Sequence, residues 1–152
     1  MKKVFAFVMA ACMAATMFVG CAPKKGNEEA STVIKVGTSG PLTGGNAMYG
    51  NAVANGLKLA FEEINAKGGL KFEVNAQDDE GDTEKAVNAY KNLKDWGMQI
   101  MAGPTTSGAA AATAAECAAD RVFMMTPSAS DVSVIAAGDN VFQICLDRKS
   151  VV

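Results

Sequence analysis

The sequence of 152 residues contains no histidine. That absence removes the Ser-His-Asp and Cys-His arrangements that activate a nucleophile, and it removes the commonest zinc ligand. A surplus of positive charge is also missing, with 14 basic residues against 16 acidic ones. The chain therefore has no electrostatic footprint for nucleic acid. No basic amphipathic stretch suggests that a folded part lies on a membrane surface. The glycine-rich segment Ser39-Gly40-Pro41-Leu42-Thr43-Gly44-Gly45 lacks both a following Lys-Ser/Thr pair and GxGxxG spacing. It is read as a tight turn opening a cleft, not a phosphate cradle. The acidic run Asp78-Asp79-Glu80-Gly81-Asp82 lacks the calcium-loop spacing with a Glu at the twelfth position. Helix capping beside a solvated loop accounts for it better than a metal site or paired catalytic carboxylates. A nucleophile elbow and a P-loop are absent as well, which argues against an α/β hydrolase or a nucleotide enzyme. No enzyme activity, cofactor or metal is expected.

No apolar run reaches the roughly 20 residues of a membrane-spanning helix. The run at residues 4–19 is shorter and follows Lys2 and Lys3, the pattern of a signal peptide over residues 1–20. Val19 and Gly20 lead into Cys21, and the segment resembles a bacterial lipobox in which the cysteine is acylated and becomes the first mature residue. Phe18 stands where a Leu is usual. An ordinary secretory signal with an incidental cysteine is the alternative, but Pro23 and a polar stretch follow at once. Residues 21–32 have the composition of a flexible linker, which an anchored domain needs and which simple disorder would also show. Without Lys2 and Lys3 the 14 basic residues fall to 12 against 16 acidic, a net −4. About 120 residues remain, enough for one core. Of the four cysteines, Cys117 and Cys145 are left to pair or to be buried as small apolar side chains.

The remaining chain alternates strand and helix patterns. Val33-Ile34-Lys35-Val36-Gly37 is a β-branched run ending at the turn residues Ser39-Gly40-Pro41. A helix follows over about residues 50–66, with Val53, Leu57, Phe61 and Ile64 on one stripe. Phe72, Val74 and Ala76 alternate as a strand. Asp82 or Thr83 caps a second helix whose apolar face is Ala86, Tyr90, Leu93 and Trp96. Residues 99–103 form a third strand, about 107–119 an alanine-rich helix, 122–125 a fourth strand, 132–136 a short fourth helix, and 141–144 a fifth strand. This order predicts an α/β fold: a Rossmann-like parallel sheet with right-handed crossovers and helices on both faces.

In such a sheet the ligand sits beyond the carboxyl ends of the strands. Gly103-Pro104-Thr105-Thr106-Ser107 and Thr126-Pro127-Ser128-Ala129-Ser130 each end a strand and are expected to open a helix. Hydroxyls and free N–H groups at a helix N-terminus suit an anion. Side by side, the two loops would converge on one carboxylate-sized group, although each Ser taken alone reads as an N-cap.

Ile34-Lys35-Val36-Gly37, Gly40-Pro41-Leu42-Thr43-Gly44 and Tyr49-Gly50 open a pattern that the residues from Glu62 through Gly69, Asp78-Asp79, Ala102-Gly103-Pro104 and Thr126-Pro127-Ser128-Ala129-Ser130 continue in order. Across residues 33–147 the chain resembles the leucine/isoleucine/valine-binding proteins of ABC transporters. The resemblance implies the first lobe of a type I periplasmic-binding fold, residues 33–146. It implies that Ser107 and Ser130 hold a ligand α-carboxylate, with backbone N–H groups of the same loops, Thr106 and Ala129 included. The Ser128 carbonyl would take the α-ammonium and Tyr49 would line the pocket mouth. Some members bridge cysteines between the acidic and third loops; the matching positions are expected to be Glu80 and Thr106. The implied partners are a small amino-acid-like ligand, an ABC permease, and the bilayer through acylated Cys21, on the periplasmic or extracellular face. A ligand-sensing receptor of the same fold is the alternative. The family's second lobe, which carries its acidic partner for the ammonium and most side-chain specificity, is absent from the sequence. Residues 147–152 continue no pattern and are expected to be a non-native tail, matching what a sequencing adapter run into a stop codon would encode.

Overall fold

The computed structural model describes residues 33–145. The signal segment 1–20, Cys21, the linker 21–32 and the tail 147–152 lie outside the described residues. The elements follow in the order β1 (Val33–Gly40), α1 (Ala47–Ala66), β2 (Lys71–Asp78), α2 (Thr83–Asp95), β3 (Ile100–Met101), α3 (Ser107–Asp120), β4 (Phe123–Thr126), a 3₁₀ turn (Ile135–Ala137) and β5 (Val141–Gln143). All strand pairings are parallel, in the order β2-β1-β3-β4-β5. The chain steps outward from β1 to β2, then back across β1 to β3. Right-handed crossovers in opposite directions put α1 on one face and α2 and α3 on the other. β1 is thus the switch point, and the crevice beyond its carboxyl end is where such a sheet accepts a ligand.

The better-filled core lies under α2 and α3. Asp82 starts α2 by accepting hydrogen bonds from the N–H groups of Glu84 and Lys85, both at 2.9 Å. That cap aims Tyr90 and Leu93 at the sheet, where they meet Met101, Met124 and Val141 together with Ala110, Ala114 and Cys117 of α3. Full burial of a side chain of Leu93's size contributes on the order of 2 kcal/mol. The alanine-rich face of α3 allows that helix to lie close against its neighbours.

The other face is covered less completely. Val53, Leu57 and Phe61 of α1 are half-buried, while Ile64 is 39 % exposed. Asn65 joins the end of α1 to the start of β2: its side chain donates to the Phe72 carbonyl and accepts from the Phe72 N–H, each at 2.8 Å. Phe61 stacks on Phe72 with 4.9 Å between ring centroids. Farther along the sheet, Phe123 and Phe142 stack at 5.2 Å and remain 42 % and 48 % exposed.

Three expectations change, and one alternative is decided. β1 runs on through Ser39 and Gly40, which pair with Gln77 and Asp78 instead of turning. α1 begins at Ala47, ahead of Gly50. The apolar stretch at residues 132–136 forms no fourth helix, only the 3₁₀ turn at Ile135–Ala137. Cys117 and Cys145 are both free, the first buried and the second half-buried. The third strand is two residues long as a ladder, but its hydrogen bonds continue on both sides. Gln99 N donates to Lys35 O at 2.9 Å, and Gly103 N to Met125 O at 3.0 Å.

Candidate functional site

The adjacency of β3 and β4 places the loops that leave their carboxyl ends beside each other. Three hydrogen bonds then organise the pair. The Thr126 hydroxyl donates to the Pro104 carbonyl at 2.7 Å and accepts from Ala129 N at 3.2 Å. Ser130 N donates to Ser107 Oγ at 3.2 Å. Thr126 is fully buried, so its hydroxyl acts as an internal pin between the loops. Ser107 Oγ, while accepting from Ser130, keeps its own proton for an acceptor in the crevice.

Ser107 is the first residue of α3, and Thr106 occupies the N-cap position with φ −92° and ψ 148°. The Thr106 side chain makes no capping bond, and its buried Oγ1 has no partner among the described residues. The first helical bond runs from Ala110 N to Thr106 O at 2.9 Å. The N–H groups of Ser107 and Gly108, ahead of it, have no partner inside the helix and form the positive end of the α3 dipole. An anion placed there meets a hydroxyl, free N–H groups and that dipole together.

The second loop does not open a helix as expected. Asp131 closes a turn instead, accepting from Ser133 N at 2.8 Å. Its contribution is therefore a bend whose Ala129 and Ser130 N–H groups bind Thr126 and Ser107, not a helix end. Of the residues singled out from the sequence, Thr106, Ser107, Ala129 and Ser130 are brought together. Ser128 is exposed, and no donor among the described residues reaches its carbonyl. Tyr49 is 56 % exposed in the first turn of α1.

The acidic loop caps α2 and exposes Asp78, Glu80 and Asp82 as expected, but Asp79 is buried. Asp78 accepts from Leu42 N at 2.8 Å and from the Thr43 hydroxyl at 2.6 Å, which fixes the loop leading to Tyr49. The Thr43 bond is the main reason its carboxyl lies below the usual range, against a smaller opposing effect of burial. Asp79 is fully buried and accepts from the Ser39 hydroxyl at 3.0 Å. Burial raises its carboxyl above the usual range, opposed by hydrogen bonds from Gly81 and Ser39. Gly81 of this loop lies near Thr106: a Cβ on Gly81 would stand 3.8 Å from Thr106 Cγ2. Thr126, Ser39 and Asp79 went unnoticed as site residues because each acts through a contact distant in sequence. Among the described residues, no cluster of three or more Asp, Glu or Cys side chains could hold a metal ion.

A model of the periplasmic binding protein family matches residues 33–147. The chain is 36% identical over 116 residues to the Leu/Ile/Val-binding protein BraC3 of Rhizobium johnstonii, covering 74% of this chain and 32% of that protein. It is 34% identical to a Leu/Ile/Val-binding protein homolog of Brucella melitensis, again with 74% of this chain and 32% of the relative covered. Among solved structures it is similar to the branched-chain amino acid transporter substrate binding protein LivJ of Streptococcus pneumoniae in complex with isoleucine. The TM-score there is 0.71 at 33% identity, covering 76% of this chain and 34% of that one. The leucine binding protein LivK of Thermotoga maritima gives a TM-score of 0.68 at 25% identity over 75% of this chain and 33% of that one. The chain spans about a third of the length of the relatives it matches.

Proposed function

The chain belongs to the periplasmic binding protein family, and from that premise we propose that it is the carboxylate-holding lobe of an exported, lipid-anchored solute-binding protein. The solute is a branched-chain amino acid or a similar small amino-acid or amide compound, passed without turnover to an ABC permease. Acylated Cys21 holds the protein at the outer side of the membrane, with residues 22–32 as its tether.

The observation that carries this reading is the union of Ser107 and Ser130 at the carboxyl ends of adjacent strands. A ligand carboxylate accepts from the Ser107 hydroxyl, which the Ser130 N–H supports from behind, and from the N–H groups at the start of α3. The Ser128 carbonyl accepts from the ammonium, and Tyr49 borders the opening. The kinship with Leu/Ile/Val-binding proteins and the isoleucine in the LivJ structure support the choice of solute.

The strength follows from the donors. About four hydrogen bonds at a net ~1 kcal/mol each give an affinity near millimolar. Titration calorimetry of the chain with L-isoleucine tests this. Saturation near millimolar is expected, whereas no saturation at tens of millimolar contradicts the binding role. Mass spectrometry of the membrane fraction tests the anchor. A mature chain beginning at an acylated Cys21 is expected, and an unmodified chain beginning elsewhere contradicts it.

A further inference from the structure

Asp79 is the one fully buried carboxylate among the described residues. Both of its oxygens are engaged. Oδ2 accepts from the Ser39 hydroxyl at 3.0 Å, and Oδ1 from Gly81 N at 2.8 Å. Neither contact is an end in itself. The Ser39 carbonyl receives the Thr105 N–H at 3.2 Å and the Thr105 hydroxyl at 3.4 Å. Gly81, held at φ +77°, sits in the turn between β2 and α2, which the Oδ1 bond holds. One carboxylate thus reaches Thr105, two residues before Ser107, through Ser39.

We propose that Asp79 is a positioning residue for the carboxylate site: through Ser39 it braces the β3–α3 loop at Thr105, while its other oxygen holds the turn at Gly81, and so it sets where the Ser107 hydroxyl and the start of α3 stand. The brace ties together the ends of β1, β2 and β3, with Asp79 N donating to Gly40 O at 3.0 Å as a further link. Ser39 and Thr105 are 2 % and 3 % exposed, so water does not compete for these bonds. An apolar side chain in the place of Asp79 could fill the space but could not fix an orientation. A buried carboxylate can, because leaving either oxygen unpaired is costly. This inference deepens the function proposed above and rests on it for its purpose, though not for its geometry.

The test uses the full chain labelled with ¹⁵N, carrying Ser39→Ala, Asp79→Asn or both, and two readouts. The first, taken without ligand, is amide hydrogen exchange. Ser39→Ala, which removes one link and leaves every backbone group in place, is expected to speed exchange at Thr105 about tenfold, the scale of one hydrogen bond. Exchange at Leu93 and Cys117 in the core is expected to stay unchanged. The double variant should exchange no faster at Thr105 than Asp79→Asn, since both substitutions cut the same path. The second readout is L-isoleucine affinity, expected to fall at least threefold in Ser39→Ala. Unchanged loop exchange, additive effects in the double variant, or loop and core amides accelerating together would overturn the proposal. Wild type that ignores L-isoleucine while Ser39→Ala still loosens the loop would count against the function alone. Wild type and Ser39→Ala binding equally would count against the brace alone.

Discussion

The Ser130 N–H donates to Ser107 Oγ at 3.2 Å, across two loops that no strand pairing reaches. Ser107 lies at the positive end of α3 and Ser130 in a turn after β4, so this bond makes one surface of two sequence-distant segments. It also polarises the hydroxyl, whose proton is left for a ligand.

Ser107→Ala removes that hydroxyl and leaves Ser130 N without its acceptor. L-isoleucine affinity should fall about five- to tenfold, the effect of about 1 kcal/mol. The thermal midpoint should change little, because Ser130 is exposed and water can replace the lost acceptor. Calorimetric titration and a thermal melt on the same sample separate the two effects.

Two glycines in α1 should respond to Ala with opposite signs. A Cβ on Gly50 would lie 2.2 Å from the Pro41 carbonyl oxygen, a backbone atom that cannot yield cheaply, whereas nothing stands within 4 Å of one on Gly56. Gly50→Ala should destabilise the domain by about 2 kcal/mol or more through overpacking. Gly56→Ala should stabilise it by up to about 1 kcal/mol through helix propensity. Urea unfolding of the pair checks both signs.

Cys117 should resist alkylation in the folded chain while Cys145 reacts. Burial pushes the Cys117 thiol up to about 12, so almost no thiolate exists near pH 8. Cys145 is half-buried with the Gln143 amide 2.8 Å from its sulfur. Peptide mapping after brief iodoacetamide treatment should show modified Cys145 and intact Cys117, with both modified in urea.

The pH dependence of stability should carry the sign of Asp79. Its folded-state value is raised, chiefly by burial, so the folded chain holds that proton more tightly than the unfolded chain does. The resulting stability is fully present below the unfolded value of about 4 and is lost as pH rises through the folded value. Relative to Asp79→Asn, the wild type should therefore be less stable at pH 7 than at pH 4. Asp78 works in the other direction: its lowered value gives stability above about 4 that is lost as pH falls. Chemical unfolding of both proteins at the two pH values isolates the Asp79 contribution, and a difference that moves the opposite way contradicts the assigned cause.

The sheet and its order of elements were legible because burial imposes a period: Ala86, Tyr90 and Leu93 mark the inner stripe of α2, and Phe72 and Val74 mark the alternation at the start of β2, which Ala76, exposed, does not continue. The pairing of the two loops was legible too, since adjacent parallel strands leave no other place for them. What stayed hidden depends on contacts without a period. Ser39 and Gly40 have turn chemistry, yet β2 supplies partners that keep them extended. Asp79 and Ser39 are 40 residues apart, and the Thr105–Ser39 contact spans 66. The apolar residues at 132–136 suit a helix, but Asp131 draws the chain into a turn before one can form.

The central claim is that residues of these two loops grip a carboxylate, and amide shifts of the ¹⁵N-labelled chain test it most directly. Millimolar L-isoleucine is predicted to move the Ser107, Gly108 and Ser130 signals, while isoleucinamide, which lacks the carboxylate, leaves them in place. Equal shifts with both compounds, or shifts confined to other parts of the chain, would contradict it.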